Sequence, residues 1–179
     1  MAAPRVGIEG VRILPLPAHP DARGSFAEIF RDDGAAGLVP VQWDVMRSRA
    51  GVLRGMHVHP RHVDYCVLVE GRCLVALHDL RSGSPTEGAR GAFEAHADDL
   101  LGVTIPNGVL HGFYYLAPSV HLLATSHRYD PDDELGCRWD DPSLGVEWPC
   151  DAPLLSPRDA ALGPLRALLP RLPAWVASS

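Results

Sequence analysis

The chain of 179 residues carries a net charge of −6 at pH 7, with 46% hydrophobic and 21% charged residues. This composition is typical of one globular domain and excludes a broad basic surface for nucleic acid. All 16 basic residues are arginine, which excludes a lysine Schiff base, and no apolar run approaches the roughly 20 residues that span a bilayer.

Short strand-like runs separated by turn residues follow one another along most of the chain. In chain order they read VRILPL, SFAEIF, VQWDVMRS, YCVLVEG, RCLVALHDL, GAFEAHA, LLGVTIP, HGFYYLA and VHLLATSHRY. A helical pattern appears only late, over residues 157–169, and Trp175 beyond it is predicted to be a packing anchor. We therefore predict a single all-β domain over residues 1–179, with a barrel core at about 40–130 and a helical or extended tail at about 155–179.

The segment GMHVHPRHVDY, residues 55–65, fits three uses: a metal site, a base for proton abstraction, or a crowded strand end. On a strand, His57 and His59 share a face. A turn after them lets Asp64 enter the next strand, and His111 comes from a later hairpin. Three imidazoles and a carboxylate suit Zn, Fe, Ni or Mn, so one divalent metal ion is a predicted cofactor.

The spacing of this segment, together with the block IPNGVLH that ends at His111, resembles the two-part signature of the cupin superfamily. The resemblance implies an antiparallel jelly-roll barrel that binds one metal through two histidines, an acid and a third histidine. The usual acid is glutamate, and here Asp64 stands in its place. The alternative is that these histidines contact substrate or fill the core. We assign that simpler role to the histidines without a spaced partner, which are His19, His62, His78 and His96.

A longer stretch, from about Asp21 to Asp159, resembles the dTDP-4-dehydrorhamnose 3,5-epimerase family of cupins. The resemblance rests on DARGSFAEIF, GVLRGMH, HDLRSGSPTEG, IPNGVLHGFYYL, YDPDDELGCRWDDPSLGVEWP and LSPRD. It implies an enzyme that removes a proton beside the C4 ketone of a 4-keto-6-deoxy sugar nucleotide. An enolate forms, and a proton then returns from the opposite face.

The same resemblance implies roles for individual residues. His57 is the base, oriented by Asp159, while Arg54 contacts the sugar or the oxyanion and His111 also faces the substrate. Arg23 reaches the diphosphate. Further substrate contacts are implied for Gln42, Glu134 and Trp139.

Three positions depart from the family pattern. The family's tyrosine acid falls at Leu123, a family lysine falls at Asp64, and a family glutamine falls at His59. Together these changes remove a proton donor and add metal ligands. They predict that His57 has become a metal ligand and no longer serves as a free base, because a nitrogen bound to a metal has no lone pair left to abstract a proton.

His121 offers a replacement acid, since it lies two residues before Leu123 and shares its face on a strand. Three functions stay open at this point. The first is an epimerase that uses His57 and Asp159 without a metal. The second is a metal-dependent cupin enzyme, such as an isomerase, cyclase, dehydratase or oxygenase. The third, a non-catalytic binding protein, is disfavoured by the retained Arg23, Arg54, His57 and Asp159.

The expected partner is a small molecule, a sugar nucleotide, with neither nucleic acid nor membrane involved. The N-terminal sequence has no signal-peptide pattern, so a cytoplasmic location is expected. The resemblance also implies a homodimer, because the arginine–glycine strand is exchanged between subunits in the family. The alternation in ARGSFAEIF is that of a pairing strand.

Overall fold

The computed structural model describes residues 3–174, whose regular secondary structure consists mainly of strands. The strands are β1 Arg12–Pro15, β2 Ala18–Asp21, β3 Gly24–Ala27, β4 Gln42–Ser48, β5 Leu53–Val58, β6 Asp64–Glu70, β7 Arg72–Asp79, β8 Arg90–His96, β9 Leu101–Ile105, β10 Val109–Tyr115, β11 Ser119–Thr125 and β12 Leu135–Gly136. The α-helices are α1 Pro157–Ala160 and α2 Leu165–Leu168, and short 3₁₀ turns occupy Ala97–Asp99, Pro131–Asp133, Pro142–Leu144 and Leu169–Arg171. Trp175 lies outside the described residues.

Two antiparallel sheets make up the barrel. The first has the order β1-β9-β6-β11-β4 and the second the order β12-β5-β10-β7-β8, while β2 and β3 form a separate hairpin. Neighbouring strands within each sheet are mostly distant in sequence, which is the connectivity of a jelly roll. The all-β prediction is confirmed.

Strands near the centre of each sheet are covered on both faces. In β6, Cys66 and Leu68 belong to the core between the sheets, whereas Tyr65 and Val67 pack under the N-terminal segment with Ala36. This double burial explains why the strand reads as an unbroken apolar run instead of an alternating one.

The C-terminal segment packs on the outside of the second sheet. Leu165 and Leu168 join Met56, Val58 and Leu110 in a second buried cluster. Before it, Leu154 bridges to Val52 in parallel, and its carbonyl accepts a hydrogen bond of 3.0 Å from the amide of Leu53. These contacts hold the chain after residue 150 against β5.

The nine predicted strand runs each overlap an observed strand, but β2, β5 and β12 are not among them. The helical pattern over 157–169 is wrong as a continuous element. Gly163 and Pro164 separate α1 from α2, because proline lacks the amide hydrogen that a helix interior requires. Within residues 3–174, none of the helices has the length and apolar character needed to cross a membrane.

Candidate active site

A cavity of about 220 Å³, which we call the inner cavity, opens between the two sheets. It is lined by strands of both sheets and by the segment that follows β11. The lining residues are Gln42, Asp44, Met46, Arg54, His57, His59, His62, Asp64, His111, Phe113, Leu123, Thr125, His127, Tyr129 and Glu134.

His57 and Asp159 form a hydrogen-bonded pair at the edge of this cavity. Nε2 of His57, on β5, lies 2.7 Å from Oδ1 of Asp159. Ser156 caps helix α1 by accepting a hydrogen bond of 3.0 Å from the backbone amide of Asp159. The docked C-terminal segment therefore delivers the carboxylate to the strand that carries the histidine.

The electrostatics of the pair fix the histidine tautomer. Burial acts to raise the pKa of Asp159, but the hydrogen bond and the charge interaction with His57 outweigh it, so the pKa of the carboxyl is lowered. An ionised carboxylate only accepts hydrogen bonds, so Nε2 of His57 carries the hydrogen. Nδ1 is then left with its lone pair, as a general base requires.

A second cavity of about 450 Å³, which we call the open cavity, adjoins the inner cavity. Arg54 and His57 line both cavities. Three further arginines, Arg47, Arg49 and Arg158, line its walls. Arg54 is held by a 3.0 Å hydrogen bond from its Nε to Ser48. This concentration of guanidinium groups suits an anionic ligand despite the negative net charge of the chain.

A second polar group lies deeper, and it consists of His59, His62, Asp64 and His111. Ligand atoms of the first three fall within 4.8 Å of one another, and Nε2 of His111 lies 3.3 Å from Oδ2 of Asp64. The His59 and His62 rings stack at a centroid distance of 3.8 Å. We call these four residues the histidine cluster.

Burial and mutual charge shift the pKa values within the cluster in different directions. Burial lowers the pKa of His59 to about 3 and also lowers the pKa of His111. For His62, burial is outweighed by the carboxylates of Asp64 and Asp133, which raise its pKa. Burial likewise acts to raise the pKa of Asp64, but the surrounding histidines lower it. The neutral forms of His59 and His111 have free lone pairs at neutral pH.

The predicted metal-ligand set contained His57, His59, Asp64 and His111, and all four residues line the inner cavity. The potential ligand atoms that lie within 4.8 Å of one another belong to His59, His62 and Asp64, whereas Nε2 of His57 contacts Asp159. His62, for which the sequence favours a substrate contact or a place in the core, is buried in the segment between β5 and β6, lines the inner cavity and stacks on His59. In the sequence this group has a simple spacing, with two residues between His59 and His62 and one residue between His62 and Asp64. His57 lines the same cavity but does not belong to this group.

The other predicted site residues divide into two groups. Gln42 and Glu134 line the inner cavity, in agreement with their predicted placement. Arg23 lies on the exposed β2–β3 hairpin, where it pairs with Asp21 at 2.6 Å, and neither described cavity includes it or Trp139 among its lining residues.

His121 also lies outside the cavity linings of the described structure. It is buried, and its Nδ1 lies 3.0 Å from the hydroxyl of Tyr115. Phe113 contacts its ring edge-on at 5.0 Å, and burial lowers the pKa of His121 to about 4. This environment is that of a neutral core histidine and does not favour the predicted role as acid.

Comparison with known proteins identifies the family. A model of the dTDP-4-dehydrorhamnose 3,5-epimerase family matches residues 5–167. The chain belongs to the dTDP-4-dehydrorhamnose 3,5-epimerase family.

Named relatives show how far the similarity extends. The spore coat polysaccharide biosynthesis protein SpsL of Bacillus subtilis is 34% identical over 145 residues, which cover 79% of this chain and 96% of SpsL. The rmlC epimerase of Mycobacterium tuberculosis superposes with a TM-score of 0.89 at 32% identity, covering 98% of this chain and 94% of the other. ChmJ of Streptomyces bikiniensis, a 3'-monoepimerase solved with dTDP-quinovose, gives 0.85 at 33% identity, with 94% and 91% covered. The resemblance seen in the sequence motifs, including the cupin barrel, is confirmed.

Proposed function

We propose that this epimerase-family protein removes a proton next to the C4 ketone of a nucleotide-linked 4-keto-6-deoxy sugar and so epimerises C3, C5 or both. The observation that carries the proposal is the 2.7 Å contact between His57 and Asp159 where the two cavities meet. Carbonyl activation makes the neighbouring C–H acidic, and a base fixed in one tautomer is the group that this chemistry needs.

Arg54 supplies the charge that the intermediate requires. When His57 takes the proton, negative charge develops on the carbonyl oxygen as the enolate forms. Arg54 shares both cavity walls with His57, and its hydrogen bond to Ser48 restricts its orientation. A guanidinium positioned in advance stabilises the enolate without reorganising during the reaction.

The open cavity is proposed to receive the nucleotide part of the substrate. Arg47, Arg49 and Arg158 give it the charge expected of a diphosphate site. A structural relative was solved with dTDP-quinovose, which supports a deoxythymidine diphosphate sugar as the substrate class.

Return of the proton is the step for which this chain differs from the family pattern. Leu123 lines the inner cavity where the family resemblance places a tyrosine, and a leucine side chain has no proton to donate. We propose that water, or a group in contact with the histidine cluster, returns the proton.

A homodimer is proposed from an exposed apolar surface on the first sheet. Trp43 and Val45 point outward from the edge strand β4, with 45% and 58% of their surfaces exposed, and Val41 is 55% exposed. A flat apolar edge strand is a liability unless another chain covers it. We expect Trp43→Glu to convert a dimer to a monomer in light-scattering measurements, whereas a wild-type protein that is already monomeric would contradict the proposal.

We also propose that the protein is located in the cytoplasm. Four cysteines are free in the described residues, and three of them are buried. Unpaired cysteines in these numbers fit a reducing compartment.

The proposed reaction is tested by incubating the protein with a dTDP-linked 4-keto-6-deoxyglucose in D₂O and following C3 and C5 by NMR. We expect deuterium to enter at one or both carbons, and we expect His57→Asn to abolish its entry. The matched control is His78→Asn, which removes a buried histidine from β7 that lines neither described cavity. Absence of exchange in the folded wild-type protein would contradict the proposed function.

A further inference from the structure

The three histidines of the histidine cluster use one ring nitrogen in the same way. Nδ1 of His59 donates to the backbone carbonyl of Asp133 at 3.2 Å. Nδ1 of His62 donates to the Asp133 carboxylate at 2.8 Å, and Nδ1 of His111 donates to the carbonyl of Val109 at 3.1 Å. Because each acceptor holds the hydrogen on Nδ1, each ring in its neutral form has its lone pair on Nε2.

The three Nε2 atoms converge on one carboxylate. Those of His59 and His111 lie 3.5 Å and 3.3 Å from Oδ2 of Asp64, and that of His62 lies 3.3 Å from Oδ1. Despite this proximity, Oδ1 of Asp64 is buried without an aligned hydrogen bond. The centre of the cluster therefore gathers lone pairs and negative charge, with the ring hydrogens directed away from it.

Such an arrangement needs a compensating positive charge at its centre, which either a proton on His62 or a bound metal ion supplies. Burying an ionised carboxylate is expensive unless a positive charge or hydrogen-bond donors compensate it. The side chains of all four residues are at most 8% exposed, so bulk water gives little compensation. We propose that the cluster binds one divalent first-row transition metal ion through Nε2 of His59, His62 and His111 and the carboxylate of Asp64.

The donor set selects the class of ion. Three neutral imidazoles and one carboxylate suit zinc, iron, nickel, cobalt or manganese better than calcium or magnesium, which prefer all-oxygen sites. Asp133 acts as a positioning residue, since its carboxylate fixes His62 and its backbone carbonyl fixes His59. Acceptors on the far side of ligand rings are a regular feature of protein metal sites.

The site adjoins the proposed base without including it. His111 lies directly opposite His57 in the β5–β10 ladder, and both line the inner cavity. A metal ion there supplies a Lewis acid next to His57 and gives the cavity an electrophile. The inference goes beyond the proposed function and does not depend on it, because metal binding is measured without any substrate.

The first experiment measures metal content directly. Untagged wild-type protein is stripped with a chelator, dialysed against Zn²⁺ or Co²⁺, and analysed for bound metal. We expect about one ion per chain and a visible Co²⁺ spectrum without thiolate charge-transfer bands, since the ligands are nitrogen and oxygen. Wild-type protein that takes up neither ion would overturn the proposal and would leave a single proton on His62 as the compensating charge.

Paired variants then test which residues bind. We expect His62→Asn and His111→Asn to lose the ion, whereas His57→Asn retains it. Asp133→Asn should weaken binding by about 10- to 100-fold, the usual effect of losing a partner of a ligand ring. Loss of the ion in His57→Asn with retention in His62→Asn would overturn this ligand set.

Two readouts keep the test decisive if a cluster variant fails to fold. X-ray absorption on the metal-loaded wild type should show nitrogen and oxygen neighbours with imidazole scattering, and sulfur ligation would overturn the assignment. Metal should also raise the melting temperature of wild-type and His57→Asn proteins alike. Deuterium exchange in the metal-free protein would show that epimerase chemistry survives without the ion, so the two proposals can fail separately.

Discussion

Replacing Asp159 by asparagine tests whether His57 is a base held in one tautomer. The carboxylate of Asp159 accepts from Nε2 of His57 at 2.7 Å and its side chain is only 6% exposed. Asparagine has nearly the same shape but can donate to Nε2. When asparagine donates to Nε2, the ring hydrogen of His57 moves to Nδ1, which is the nitrogen that must accept the substrate proton.

The size of the effect follows from the lost contact. A hydrogen bond to a charged group contributes about 1.5–3 kcal/mol, and it is strongest when His57 becomes an imidazolium in the transition state. At about 1.4 kcal/mol per tenfold in rate, this corresponds to a loss of roughly 10- to 150-fold. The wrong tautomer adds to that loss, so we expect the exchange rate to fall about 100-fold or more, within the range typical of general-base catalysis.

The assay is the initial rate of deuterium entry into the 4-ketosugar, measured alongside thermal unfolding. Asp159→Glu keeps an acceptor and should retain part of the activity. Asp141→Asn is the matched control, because Asp141 caps the amide of Leu165 at 2.9 Å and lines neither described cavity. A folded Asp159→Asn protein that exchanges within about threefold of wild type would refute the assigned role of the pair.

Three further predictions concern other parts of the barrel. Burial lowers the pKa of His121 to about 4, whereas histidine in the unfolded chain has a pKa of about 6.5. Unfolding therefore takes up a proton as the pH falls below about 6.5. We expect about 3 kcal/mol of stability to be lost between pH 6.5 and pH 4. His121→Gln should remove that component, which urea unfolding at several pH values would detect as a shallower pH dependence. Gly55→Ala should destabilise the fold by about 2 kcal/mol or more in the same assay, because Gly55 has φ +138° and a Cβ there would lie 2.6 Å from the Cα of Gly112. Leu123→Tyr should raise the ratio of inversion to deuterium exchange, and an unchanged ratio would show that a phenol at this position reaches no substrate carbon.

Local patterns were sufficient to predict most of the strands, because turn residues separate them and strand lengths are short. Strand β5 was missed because GVLRGMHV is poor in β-branched and aromatic residues, and it becomes a strand by pairing with β10 and β12. Pairing between distant segments cannot be read from one segment alone.

The residues that line the site were more predictable than the contacts between them. Motif spacing brought His57, His59, Asp64 and His111 to one cavity, as the structure shows. Spacing could not decide which atom of His57 is engaged, since that depends on Asp159, 102 residues later. The position of His62 beside His59 and Asp64 could not be read from the sequence, because it lies between two strands, where strand periodicity carries no information about side-chain direction.

The separation between His57 and Asp159 also bears on when the protein becomes active during synthesis. The strands that line the two cavities all precede the segment from Leu154 to Asp159, which must still dock on β5 and forms part of the wall of the open cavity. Chains are made from the N-terminus, so the barrel can close before this segment emerges from the ribosome. Until it docks, the open cavity lacks the wall that residues 154–159 form and His57 lacks its carboxylate partner, so a barrel that has already folded is not yet a complete active site.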